Sequence, residues 1–173
     1  MKQLLSLFSF LLVISQFSCK KDNIAYNGEY YKSYNALKDF KASSNNSYRY
    51  IVQTSSWVGT GTETTITVEE GQVVGRDYIR TLSTHTAAGW QVDTLGTWKE
   101  TGAQLGTHQE GESVSTLDDI YIAARTNWLL KRDDAQTFFE AKNNGMISTC
   151  GYVPKDCADD CFRGIHIKSI TPL

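Results

Sequence analysis

"YRYIVQTSSWVGTGTETTITVEEGQVVGRDYIRTL", residues 48–82, decides the fold. Its opening sets Tyr48, Tyr50 and Val52 on one side against Arg49, Ile51 and Gln53 on the other. Strand side chains alternate between faces, and aromatic and β-branched residues suit a pleated, half-buried surface, so this run reads as a strand. "TGTE" turns the chain. Ile66 and Val68 then alternate on the first arm of a hairpin, "EEGQ" turns again, and residues 73–82 form the second arm. Arms joined by such short connections pair antiparallel.

Working outward, residues 83–113 are rich in Gly and Thr. "WQVDTLGTWKE" can hold a short strand pair around Trp90 and Trp98. A structureless loop of that length is uncommon in a compact domain, so partial order is expected, with a mobile tip near 101–113. "STLDDIYIAARTNWLLKRDD" is the clearest helix: Leu117, Ile120, Tyr121, Ala124 and Trp128 make one apolar stripe. Ser115 with Asp118 resembles a capping box, Asp119 adds negative charge to the first turn, and Lys131 and Arg132 suit the C-terminal end. "AQTFFEAKNNGMISTCGYVP" reads as strand, turn, strand, with "NNG" tolerating positive φ at the turn. "GIHIKSI" supplies a last strand. Before the first strand, Tyr30, Tyr34, Leu37 and Lys41 share a helical stripe with Phe40 beside it, predicting a short helix over 31–42 that "SSNNS" ends. The expectation is one α+β domain over 30–173: two layers, a mostly antiparallel sheet and about two helices on one face.

The N-terminus sets the compartment. Lys2 precedes an apolar run over residues 4–14, a signal-peptide core well short of the roughly 20 apolar residues a membrane-spanning helix needs. Ser18 then stands before Cys19. A small residue and a cysteine directly after such a core resemble a bacterial lipobox, and "SCKKD" is similar to lipoproteins of Bacteroidota-type bacteria. The position three before the cysteine, usually apolar, is Gln16 here. The resemblance implies cleavage after residue 18, a diacylglycerol on Cys19, a lipidated tether over 19–29, and residence in the cell envelope on a bacterial membrane, the outer membrane being expected. Cleavage leaves roughly 155 residues, one domain's worth. The full chain carries net −2, and losing Lys2 makes it more acidic still. No basic stripe is present, which argues against a nucleic-acid partner.

"YRYIVQ", "ITVEEGQVV", "TLDDIY" and the hairpin ending in "GIHIKSI" resemble a family of small uncharacterised exported bacterial proteins and lipoproteins. Its members share a Y-x-Y strand, a d-G-x-V hairpin and a T-[IL]-D-[DE]-[LIF] helix start. The likeness covers about residues 48–170. Where such proteins often carry cysteines after the first strand, this chain has Ser55 and Ser56. The resemblance implies the fold and the envelope location and assigns no activity.

Export favours disulfides. With Cys19 lipidated, Cys150, Cys157 and Cys161 remain, enough for one intrachain bond and a spare thiol. Cys150–Cys161, bracketing the whole loop, is preferred slightly over Cys150–Cys157. A metal site would draw on these thiolates with Asp156, Asp159, Asp160 or His166. However, C-x6-C-x3-C lacks the paired short spacings of zinc sites, and "KDCADD" lacks a calcium-loop pattern. No C-x-x-C redox pair is present. His85, His108 and His166 stand in no H-E-x-x-H, and there is no G-x-S-x-G elbow. The carboxylates of "TLDDIY" suit a helix start and those of "DCADDC" a solvated turn.

No catalytic residue, metal site or cofactor is therefore assigned. Trp57, Trp90 and Trp98 stand near Gly-rich turns, where they could line a surface for a sugar, a peptide or a partner protein, or fill a thin core. The favoured reading is a membrane-anchored, non-enzymatic binding domain whose partner is an envelope protein or a small molecule, engaged through residues 55–62 and 83–113. The alternatives are a metal-binding or thiol-active protein using the cysteine cluster and a hydrolase with an unmarked site.

Overall fold

The structure, a computed structural model, describes residues 23–159 and 161–173. The signal, Cys19 and Asp160 lie outside the described residues. In chain order the elements are α1 (Asn27–Ser43), β1 (Tyr48–Ser55), β2 (Thr60–Glu69), β3 (Gln72–Thr86), β4 (Gly89–Thr101), α2 (Leu117–Ala123), β5 (Ala135–Glu140), β6 (Thr149–Pro154) and β7 (Arg163–Pro172). One turn of π-helix, Ala124–Trp128, extends α2. The strands form one antiparallel sheet in the order β4-β3-β2-β1-β7-β6-β5. Both helices pack on one face, as expected of an α+β domain.

The alternation in β1 selects the packed face. Tyr48, Tyr50 and Val52 are buried beside Val68, Ile66 and Thr64 of β2. Ile165, Ile167 and Ile170 continue that face on β7. Leu117, Ile120, Tyr121 and Ala124 cover it from the α2 segment, and Tyr30 and Leu37 from α1. The phenol groups among these apolar side chains tie helix to sheet. Tyr48 Oη accepts the Leu117 N–H at 3.0 Å, and Tyr50 Oη donates to the Ser115 carbonyl at 2.6 Å. Tyr121 Oη accepts the Ile147 N–H at 3.1 Å and contacts Ser33 Oγ of α1 at 2.6 Å. Buried polar groups are tolerated only when so paired.

Several boundaries differ from the sequence reading. The cap of α2 is Thr116, not Ser115, and the reciprocal partner is Asp119. Asp118 is released to pair with Lys41 of α1. The helix α1 begins at Asn27, and Ile24 is buried and bridged to Leu130, so part of the stretch read as tether belongs to the folded domain. The largest difference is β3–β4. The Thr-rich stretch forms a long hairpin that runs four residue pairs, Ser83↔Val92 to Thr86↔Gly89, beyond the β2 pairing at Thr60↔Leu82. Threonine is a good strand former, and a two-stranded arm needs no apolar alternation where both faces are solvated.

Tyr121→Phe removes the hydroxyl shared by Ser33 and Ile147. It is expected to lower stability by about 1–3 kcal/mol, the cost of orphaned buried polar groups, read as a reduced urea midpoint at unchanged m-value.

Candidate functional site

The site follows from how β7 is shared. Its second half pairs with β1, from Tyr48↔Pro172 to Val52↔Ile167, with an irregularity at Ile51/Val52. Its first half pairs with β6, from Thr149↔His166 to Tyr152↔Arg163. Beyond Val52, β1 pairs with β2 alone, and residues 163–166 of β7 pair with β6 alone. Two strands thus part company, and between them opens a cleft of about 530 Å³. Val52, Gln53, Thr54 and Ser55 form one wall and Gly164, Ile165 and His166 the other, with Glu112 and Phe162 at the margins. Because strand backbone groups point alternately to either side, each wall presents donors and acceptors with no ladder partner among the described residues.

Phe162 is seated over Gly151, and Gly164 packs closely on the β6 backbone beside it. A Cβ at Gly151 would come within 2.5 Å of the Phe162 ring, and one at Gly164 within 2.1 Å of the Cys150 carbonyl oxygen. The ring stacks on His166 with centroids 4.3 Å apart. His166 Nδ1 lies 3.2 Å from Thr149 Oγ1, and burial holds the imidazole below its usual pKa, so it is uncharged at neutral pH. Ser55 and Glu112 share the cleft, but the hydrogen bond of His166 runs to Thr149. The Glu112 carboxylate is occupied by Ser113 N–H and Oγ at 3.1 and 3.0 Å. His166 Nδ1 is thus turned to Thr149, and the Glu112 carboxylate to Ser113.

Glu112 is placed by a feature that sequence reasoning missed. The stretch 101–113, expected as a mobile tip, folds onto the sheet over β2, β3 and β4. Fully buried Glu100 accepts the Gly106 N–H at 2.8 Å, the His108 N–H at 2.6 Å, Thr107 Oγ1 at 3.0 Å and His108 Nδ1 at 2.8 Å. Arg76, on the neighbouring strand, lies 3.1 Å from the same carboxylate and donates to the carbonyls of His108 and Glu112 at 2.7 and 3.1 Å. Trp98 is sandwiched between Tyr78 and His108, at centroid distances of 5.0 and 4.4 Å, with the Arg76 guanidinium 4.6 Å from its ring. Gly111 lies so close over Thr64, Tyr78 and Trp98, at φ +81°, that a side chain there would collide. Trp98 is thus half-buried and serves as a platform for the loop above it. The one sequence signal was Glu100 itself, a charge on the face shared by Tyr78 and Trp98.

The other assigned residues separate. Trp57, in the β1–β2 turn, is 79 % exposed, and Trp90, near the β3–β4 tip, 74 %. His85 packs edge-on against Trp90 at 5.1 Å. The disulfide joins Cys157 to Cys161, correcting the preferred Cys150–Cys161 pairing. Cys150 sits on β6, fully buried in the core, and is free, while the two loop cysteines pair with each other. Burial pushes its thiol up to about 12, which leaves it protonated. The three-thiolate set that a metal or redox reading needs is thereby dispersed. Among the described residues no three His, Cys, Asp or Glu side chains gather for a metal, and no helix is long and apolar enough to cross a membrane.

No family model, curated protein or solved structure matches the chain.

Burial pushes the Glu100 carboxyl up, but the hydrogen bonds from His108, Gly106 and Thr107 outweigh it and hold the pKa at about 2, against an ordinary 4.5. The unfolded chain thus takes up this proton first. The contribution of Glu100 is complete above the ordinary value and is lost as pH falls toward 2. Thermal melts between these limits should show a falling Tm in the wild type. Glu100→Gln is expected to melt lower at neutral pH and to decline less steeply on acidification. A second expectation concerns Cys150: iodoacetamide should leave the native protein unmodified there and alkylate it after denaturation without reductant.

Proposed function

We propose that the protein is a bacterial envelope lipoprotein, held to the outer membrane by a diacylglycerol on Cys19, whose domain binds an extended segment of another envelope protein without catalysing a reaction. The observation that carries this reading is the pair of open strand edges lining the β1–β7 cleft. An extended chain laid along either edge completes a ladder through its backbone, while side-chain contacts select its sequence. Val52, Ile165 and Phe162 provide apolar contact, and Glu112 favours a basic residue in the segment. The cleft volume falls in the range of ordinary ligand sites, roughly 300–1,000 Å³. The anchor is supported by the short apolar core ending at Ser18–Cys19.

Intact mass spectrometry of membrane-extracted protein tests the anchor. A chain lacking residues 1–18 and bearing acyl groups on Cys19 is expected, and an unacylated chain refutes it. For binding, random peptides displayed on phage are selected against the protein and then titrated while backbone amides are followed by NMR. Shifts are expected at Gln53, Thr54, Gly164 and Ile165. Glu112→Ala and His166→Ala should each weaken binding about tenfold, roughly 1.4 kcal/mol. Shifts confined to the helices or to β5 would sink the cleft as the binding place.

A further inference from the structure

The exposed tryptophans have a shared address. Following the strands, β1 ends at Ser55, β2 begins at Thr60, β3 ends at Thr86 and β4 begins at Gly89. By the antiparallel register, these termini lie at the same end of the sheet as the end of β6 at Pro154 and the beginnings of β5 at Ala135 and β7 at Arg163. Trp57 and Trp90 project from this end, with Val58 and Val92, also exposed, beside them in sequence. The β3–β4 arm carries Trp90 outward beyond the rest of the sheet by about 10 Å at the rise of a strand.

The chain enters the domain at this same end. Residues 23–25 run antiparallel to 129–131: Ala25 N–H donates to the Leu129 carbonyl and Lys131 N–H to the Asn23 carbonyl. Going back from Ala25 to Asn23 therefore follows the chain from Leu129 to Lys131. That path leads to Arg132, stacked 4.0 Å over Tyr152 near the end of β6, and to Asp134, whose carbonyl accepts the Lys155 N–H. Asn23 thus leaves toward the tryptophan-bearing end, at the β5 side of it. Cys19 is four residues further back, and four residues span at most roughly 14 Å.

We infer that this end of the domain docks on the bilayer, with Trp57 and Trp90 seated in the interface of the membrane that holds the lipid on Cys19. The inference rests on the lipoprotein reading. A tether this short holds the end of the sheet against the headgroups. Tryptophan has an apolar body and a polar N–H that suit the region where acyl chain meets headgroup. The anchor at the β5 side and Trp90 at the β4 side stand roughly 29 Å apart at the usual strand spacing, so together they fix the tilt of the domain. Lys131, Arg132, Lys155 and Arg163 at this end are offset by Asp133, Asp134, Asp156 and Asp159, so the contact is aromatic and not electrostatic.

The full-length protein is extracted with its lipid, its acylation is verified by intact mass, and it is reconstituted into phosphatidylcholine vesicles with bromine near the headgroup end of the acyl chains. Expected are a blue-shifted tryptophan emission, quenching by bromine and protection from aqueous acrylamide, all unchanged in high salt. Trp57→Ser/Trp90→Ser, with an unaltered far-UV circular dichroism spectrum, should lose the quenchable component. An acylated protein whose emission is untouched by bromine and open to acrylamide overturns the docking and leaves the lipoprotein reading standing. Protection from acrylamide without bromine quenching assigns the tryptophans to a second copy of the chain and also overturns it. Quenching abolished by salt overturns the aromatic basis. A mass without acyl groups overturns the lipoprotein reading and the docking with it.

Discussion

β7 belongs to two ladders, and the rest of the molecule depends on that. Without it the chain would be a four-stranded meander, β1–β4, and a separate hairpin, β5–β6. Ile165, Ile167 and Ile170 carry one apolar face across the junction, so the helices meet a continuous surface. A strand cannot follow two diverging partners along its whole length. β7 pairs with β6 through His166 and with β1 only from Ile167 onward, and the gap between β1 and the first half of β7 is the cleft. The candidate binding place is thus a by-product of joining two sheets through one strand.

Width poses the second problem. Two helices cannot cover seven strands, and the uncovered part of the packed face holds Arg76, Tyr78, Trp98 and Glu100 in place of aliphatic side chains. The loop after β4 serves as the missing cover. An unpaired buried carboxylate would be costly, whereas one that receives four hydrogen bonds and faces a guanidinium organises the loop above it. The same loop delivers Glu112 to the edge of the cleft, so the cover and the site are one structure.

What could be read from the residues beforehand follows from which interactions are local. The alternation of Tyr48, Tyr50 and Val52 and the stripe of Leu117, Ile120, Tyr121 and Ala124 report burial through period alone, and these elements were legible. The arm bearing Trp90 was only partly so, because a strand solvated on both faces has no apolar period. The folding of 102–114 rests on contacts between Glu100, Arg76 and backbone groups, chosen by tertiary placement and invisible to spacing. The cysteine pairing failed for the same reason: Cys150 differs from Cys157 and Cys161 by facing the core, which the count of thiols does not reveal.

The burial of Cys150 also bears on how the chain matures. Three thiols can form three different bonds, and two of those involve the Cys150 thiol, which is buried in the core. If β5, β6 and β7 assemble before oxidation, Cys150 is already out of reach and one pairing remains. If oxidation comes first, the wrong loops compete. Burial of Cys150 and closure of the Cys157–Cys161 bond are thus linked steps in reaching one pairing.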